Sequence, residues 1–361
     1  MKKLSIGSFK VWPLTIIYIW LIILFSSLTA YVRFQSYNEL KSQSNSVDSN
    51  SVVVVPSLQL VPSKFFLYPW TLLTATLVQT SIFRLIVSLV ITFFGIEYLQ
   101  SNWTAANIGY SSNKRIFDET VHYLFVVPLV TNILFVLLKS SLAVLGLTSS
   151  VSLFHPINYG IYSVVMSFVV VIKQLSPEYN VKLFKVIKFR LKRLPFIILS
   201  VALFVSIFIT SSLDPFFTPL FINFYVSWCY LRYYQISYVG DILPTTAGST
   251  TATTSSSTVR GDASDTFAFI QFFPDNWQRY LKPMSRFFYH SSVFLGLFRP
   301  FNDDDIESSN LRTIQRLNKS NAVDGANSND DSDRRKRVAL KVLEQRVADK
   351  GNQDTTHSTH D

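Results

Sequence analysis

The sequence predicts an all-α integral membrane protein of six helical spans, with both termini on one side and a long polar tail. Three observations carry that reading. Charged residues make up only 16% of the 361, against about a quarter in an ordinary soluble chain. The shortage is concentrated in long charge-free runs, the first of which fills the interval between Lys10 and Arg33. Lysine and arginine, 33 against 23 acidic residues, gather between those runs. A basic excess fits nucleic acid or an anionic membrane face. Its placement between apolar runs selects the membrane and excludes nucleic acid.

Crossing a bilayer core of about 30 Å takes roughly 20 apolar helical residues. The first span is Val11–Val32, preceded by Lys2, Lys3 and Lys10. Its apolar stretch is longer than a signal-peptide core and no clear small-residue cleavage site follows, so it reads as a retained anchor. Pro69 and Arg84 argue against one continuous helix from Phe65 to Gly95. A half-embedded segment is therefore expected at Phe65–Gln79 and the second span at Ser81–Tyr98. The third is Thr120–Leu138, extending towards Gly146, and the fourth Asn158–Ile172. The fifth, Pro195–Leu213, carries proline in its first turn, where it is tolerated. A short turn at Ser212–Pro215 leads to the sixth, Phe216–Leu231.

Orientation follows the loops richest in Lys and Arg. Six spans place the N-terminus (1–10), the basic loops and the tail (236–361) in the cytosol, leaving 11–235 as the membrane domain with its first loop at 33–80. The basic segment Val181–Arg193 carries Lys182, Lys185, Lys188, Arg190, Lys192 and Arg193. Lysines at 182, 185, 188 and 192 have helical spacing, which suits a helix on anionic lipid. A plain stop-transfer charge cluster is the simpler reading.

Outside the spans, Val52–Val55 predicts a short strand or hydrophobic lip. Residues 245–258 are a Ser/Thr-rich flexible insert. An aromatic block, 261–301, contains Phe267, Phe269, Phe272, Phe273 and Pro274, expected to pack on the membrane domain, lie in the interface or bind a partner. Residues 302–332 are polar, acidic and expected to be disordered. Residues 333–349 predict an amphipathic helix with Leu340, Leu343 and Val347 on one face, suited to docking a partner or the membrane. Arg334–Arg337 reads as the helix start or as an arginine-type retrieval signal.

Chemistry-bearing motifs are few. The sequence has no Gly-rich phosphate loop, HExxH or CxxC, and no cofactor or metal is expected. Cys229 is the single cysteine, so no intrachain disulfide forms, and it reads as a structural thiol. His122 and His155 fall near span ends, where an interfacial role is the cheaper one. Asn132 and Asn223 are in-span amides suited to bonding helix to helix. The Asn102 and Asn318 sequons fall on the cytosolic side and are expected to stay bare.

Two resemblances emerge from particular residues. The stretch Pro69–Gln100 looks like the first-loop and second-helix region of rhomboid intramembrane proteases. Their histidine, histidine and asparagine positions fall on Gln79, Arg84 and Ser88 here. In Gly160-Ile161-Tyr162-Ser163 the nucleophile position is Tyr162, and Ser163 lies about 100° further round the helix. Residues 216–231 contain no histidine base. The resemblance implies a six-span rhomboid-like helical bundle without the protease activity. A second resemblance covers about residues 60 to 350. Lys173-Gln174, Ser227-Trp228-Cys229-Tyr230-Leu231-Arg232-Tyr233-Tyr234-Gln235, Gly261-Asp262, Phe267-Ala268-Phe269, Phe272-Phe273-Pro274 and the basic helix from Arg334 to Arg346 resemble the transmembrane protein 115 family. That resemblance implies a non-proteolytic Golgi membrane protein in retrograde Golgi-to-endoplasmic-reticulum transport, meeting Golgi tethering or coat proteins through its cytosolic tail. Two other functions stay open: a pseudoprotease that binds transmembrane client helices through Gln79, Arg84 and Asn132, and an intramembrane enzyme built on Gln79, Ser163 and His155.

Overall fold

A computed structural model describes residues 4–6, 9–43, 53–106, 113–148, 153–157, 160–176, 180–183, 187–209, 216–239, 257–294, 296, 298–302 and 305–314. The chain divides into two units, Met1–Asn310 and Leu311–Asp361. The apolar helices all lie in the first.

Among the described residues, eight helices carry the fold: α1 Pro13–Gln43, α2 Thr71–Leu77, α3 Ile82–Ala106, α4 Asn113–Val144, α5 Tyr162–Leu175, α6 Leu194–Phe208, α7 Phe217–Cys229 and α8 Asp275–Phe294. Helix α1 starts on Pro13, whose missing N–H would be orphaned there anyway. Glu97 of α3 completes that start, its Oε1 accepting from Trp12 N at 2.7 Å and Thr15 Oγ1 at 3.0 Å. A carboxylate at a helix N-terminus is favoured by the dipole, which accounts for an acid at the end of an apolar span.

Among the described residues, four helical segments are long and apolar enough to cross a membrane by length and composition: α1, α3, α4, and α6 taken with the 3₁₀ turn Leu191–Arg193 that leads into it. Their outward residues are large and bare, including Trp20, Leu24, Phe94 and Phe204. Such surface is expected where lipid is the solvent. Helices α5 and α7, with 14 and 13 residues, are shorter and pack chiefly on each other, with α4 on α7. Val164, Met166, Val170 and Val171 of α5 and Phe224 of α7 are sealed in the core. The π-turn Tyr230–Tyr234 extends α7. Among the described residues a helix falls within each of the six expected segments, with shifted ends; α1 and α4 run well beyond the apolar stretches that suggested them.

Among the described residues, three short antiparallel strand pairs decorate this helical body: β1 Leu4–Ile6 with β2 Phe9–Val11, β3 Asn180–Leu183 with β4 Ile187–Arg190, and β5 Ile236–Val239 with β6 Ser257–Arg260. The second corrects the helical reading of Val181–Arg193. Lys182 pairs with Lys188 across a ladder, because alternating residues such as Val181, Leu183, Ile187 and Phe189 favour an extended backbone. The third brackets the 245–258 insert and takes its last two residues, Ser257 and Thr258, into β6.

Two further expectations change. Val53–Val55 form no strand; Val55 is buried and its N–H donates to Gln59 Oε1 at 3.0 Å. The segment Phe65–Gln79 is a run of turns followed by α2. Within the segment expected to be disordered, residues 305–314 are helical. Ser309 and Asn310 give that helix a reason to form: Ala263 N donates to Ser309 Oγ at 3.2 Å, and Asn310 Nδ2 donates to Asp265 Oδ2 at 3.1 Å.

Candidate functional site

The polar groups of the bundle collect in two places. The first is a seam of small neutral side chains between α2, α4, α5 and α7. Asn223 is its centre. Its Oδ1 accepts from Ser167 N at 2.9 Å, and its Nδ2 donates to Thr131 Oγ1 at 3.3 Å and to the Ser163 carbonyl. Ser227 Oγ donates to Ser167 Oγ at 2.9 Å, and Tyr123 OH donates to the Ser167 carbonyl at 2.8 Å. Asn132 Nδ2 donates to the Leu72 carbonyl at 2.7 Å and to Thr76 Oγ1 at 3.2 Å. Both in-span amides thus bond helix to helix, as expected of them. Sequence reasoning missed Thr76, Thr131, Ser167 and Ser227. The signal was there: Ser163/Ser167 and Asn223/Ser227 are four apart, a spacing that puts each pair on one helix face.

The degenerate rhomboid positions sit at the edge of this seam. Gln79 and Ser88 are buried, Gln79 Nε2 donating to Ser88 Oγ at 3.4 Å. Gln79 N donates to Ser26 Oγ at 3.0 Å, tying the start of α3 to α1. The Gln79 amide also fills the space over Gly160, whose φ of +45° and lack of a side chain let it approach. Arg84 is half-buried in the first turn of α3. Tyr162 packs edge-on against Phe216, ring centroids 5.5 Å apart. Ser163 is buried, its Oγ donating to the Gly160 carbonyl at 2.8 Å and to Thr76 Oγ1 at 3.3 Å. Neither contact is a base, so neither activates the hydroxyl. His122 and His155 are exposed, and His122 Nδ1 meets the Asp118 carbonyl at 2.8 Å. Among the described residues no cluster of His, Cys, Asp and Glu could hold a metal.

The second place is a clasp where the chain beyond β6 returns to the base of the bundle. Gly261 adopts φ +78° directly against the Arg232 carbonyl, where any side chain would collide. That tight turn delivers Asp262, which is buried. Asp262 Oδ2 accepts from Gln174 Nε2 at 3.1 Å, and the same amide donates to Gln235 Oε1 at 2.8 Å. Arg232 Nη1 donates to the carbonyls of Asp262 at 2.9 Å and Ser264 at 2.6 Å. Burial pulls the Arg232 guanidinium below its ordinary range, while Tyr233 and Asp262 hold it up. Burial pushes the Tyr233 phenol up to about 12, opposed by Arg232.

The aromatic block then enters the core. Phe267 and Phe272 are 2% and 1% exposed. The Phe272 ring meets Phe224 of α7 edge-on at 5.1 Å, and Trp228 Nε1 donates to the Phe267 carbonyl at 3.1 Å. Phe269 and Phe273 pack half-buried against the same cluster, and Pro274 precedes α8. Lys173, 2% exposed, holds its Nζ 3.3 Å from the Phe272 ring centroid, with no hydrogen-bond partner among the described residues. The basic residues are placed apart: Arg193 Nη2 lies 3.7 Å from Asp275 Oδ2, both well exposed, and Lys192 is in the 3₁₀ turn before α6. Lys182, Lys188 and Arg190 are in the β3–β4 hairpin. Lys185 and the expected helix of Leu340, Leu343 and Val347 lie outside the described residues.

No solved structure matches the chain. It is 29% identical to the transmembrane protein 115 homolog of Saccharomyces cerevisiae over 325 residues, 88% of this chain and 87% of that protein. It is 27% identical to rhomboid-like protein 19 of Arabidopsis thaliana over 236 residues, 65% of this chain and 66% of that protein. Both resemblances read from the sequence are borne out. Residues 16–349 match the family described as Eukaryotic integral membrane protein (DUF1751). The match takes in the bundle and the returning tail together, and the chain belongs to this family of eukaryotic integral membrane proteins.

Proposed function

We propose that the protein is a non-catalytic, six-span Golgi membrane scaffold or adaptor in retrograde Golgi-to-endoplasmic-reticulum transport, with both termini cytosolic. Trafficking partners, Golgi tethers or coat proteins, dock on its tail. The observation that carries the non-catalytic half is the state of the polar seam. Ser163 hydrogen-bonds a hydroxyl and a carbonyl, Tyr162 packs on Phe216, and Gln79 covers Gly160. The groups that a rhomboid protease would aim at substrate are here holding helices together. The Golgi and transport half rests on the similarity to the transmembrane protein 115 homolog over most of both chains.

The fold alters how the tail is tested. Removing everything after residue 235 would take Asp262, Phe267 and Phe272 out of the bundle core. The informative truncation ends at residue 314. Loss of tether or coat recovery, with the bundle still monodisperse in detergent and Golgi residents mis-sorted, is the expected result. Unchanged recovery and unchanged sorting would sink the proposal. A fluorophosphonate probe is expected to label the wild type and Ser163→Ala equally weakly.

A second reading, a pseudoprotease that holds client helices, is favoured by one feature. Phe66, Leu67, Ile82 and Phe83 are 84, 70, 79 and 75% exposed, flanking α2 and the Gln79 corner. Crosslinks from a photoreactive residue at 83 to transmembrane segments would support it; crosslinks confined to the tail count against it.

A further inference from the structure

Helix α8 is built with two faces. Trp277, Tyr280, Met284, Phe287 and Phe294 are 57, 77, 55, 70 and 91% exposed. At about 100° per residue they fall in one stripe about 100° wide. Arg279, Lys282 and Arg286 are exposed too, in a second band centred roughly 140° away. The single acid of the helix, Asp275, faces Arg193. In water an apolar stripe of this extent is a liability.

Both ends of α8 are fixed to one end of the bundle. Trp277 meets Phe196, at the start of α6, at 5.9 Å. Beyond the helix, Phe298 stacks on Tyr233, just past α7, at 4.0 Å. Phe217 N donates to Ser206 Oγ at 3.2 Å, so α6 and α7 join at their other ends and run antiparallel. At about 1.5 Å per residue Phe196 and Trp228 therefore share a level, and Tyr233 lies roughly a turn further out. A row of rings connects them: Phe196–Phe273, Phe273–Phe269, Phe269–Trp228 and Trp228–Tyr233, at 6.0, 5.3, 5.1 and 5.8 Å.

This anchoring fixes the tilt. From Trp277 to Phe294 the helix rises about 25 Å. The four residues from Phe294 to Phe298 reach at most about 14 Å. Standing back along α6 and α7, α8 would leave Phe298 too far from Tyr233 to stack; standing away from the bundle, it would hold its apolar stripe in water. A course across the bundle end satisfies both anchors, and spans ending there would meet the headgroups at that level. Tryptophan, tyrosine and cationic side chains favour that level.

We infer that α8 is an interfacial membrane helix, its aromatic stripe in the headgroup–acyl boundary and its Arg279/Lys282/Arg286 band on anionic lipid headgroups. The occupant of the stripe is bilayer lipid beside the bundle. The test uses the full-length chain carrying Cys229→Ser, with a single cysteine at Met284→Cys or Lys282→Cys bearing a small environment-sensitive fluorophore. It is reconstituted in phosphatidylcholine vesicles with and without phosphatidylserine. Brominated lipid is expected to quench the label at 284 severalfold more than at 282, and aqueous iodide the reverse. Arg279→Glu with Arg286→Glu is expected to weaken lipid quenching at 284 in the phosphatidylserine vesicles. Equal iodide quenching at 284 and 282 overturns the inference. So does a label at 284 shielded from both quenchers, which would mean that a second copy covers the stripe. Tyr280→Cys reports the same face if Met284→Cys fails to fold.

Discussion

The two polar regions of the bundle solve the same problem differently. The seam around Asn223 is neutral, made of short side chains and carried mostly by four neighbouring helices. The clasp around Asp262 is charged and joins groups far apart in sequence: Gln174 to Asp262, Arg232 to Ser264 and Lys173 to Phe272. In hydrocarbon, small amides and hydroxyls satisfy one another at modest cost, and each bond adds roughly 0.6 kcal/mol. The clasp places its charges at the bundle's end, where main-chain carbonyls, an amide and aromatic rings surround them. The seam therefore sets helix spacing, and the clasp sets where the tail goes. Mutations in the two should separate in size.

The largest loss is expected at the clasp. Phe272→Ala opens a cavity in a fully buried site and uncovers Lys173, costing about 3–5 kcal/mol; the thermal midpoint in detergent should fall steeply. Gly261→Ala forces a side chain into the Arg232 carbonyl at a positive φ, worth about 3 kcal/mol. It should release the tail to proteases while the spans stay helical by circular dichroism. In the seam, Asn223→Leu removes three bonded groups, about 2 kcal/mol at the membrane rate per bond. A midpoint unchanged by Asn223→Leu would mean that the seam is not structural. Lys173→Met should be smaller still, within about 1 kcal/mol or stabilising, because a buried amine, whose charged form burial disfavours, gives way to an apolar side chain of similar length. A loss as large as that of Phe272→Ala would assign Lys173 a role beyond packing.

The helical membrane body was legible in the sequence because charge-free runs have no other home, and Asn132 and Asn223 declared themselves as amides inside such runs. Other features depended on distance. Gly261-Asp262 stood out as a pattern, yet nothing local says that its partners are Arg232 and Gln174. For Phe267 and Phe272, packing on the membrane domain, an interfacial position and partner binding all stayed open, since an aromatic cluster outside the spans reads the same whether it folds inward or faces out. Val181–Arg193 carried lysines at helical spacing and β-favouring residues between them, and the backbone followed the latter. Residues 305–314 looked too polar to fold alone; Ala263 and Asp265 supply the partners that local composition could not reveal.

The central claim is that the stretch from Gly261 through Phe273, just beyond β6, belongs to the bundle and is not part of a free tail. Inserting a specific protease site between Thr250 and Thr253 tests it most directly. After complete cleavage in mild detergent, the fragment beginning near β6 is predicted to remain with the spans through size-exclusion chromatography and to separate on adding Gly261→Ala. A wild-type fragment that leaves the spans on cleavage would contradict the account.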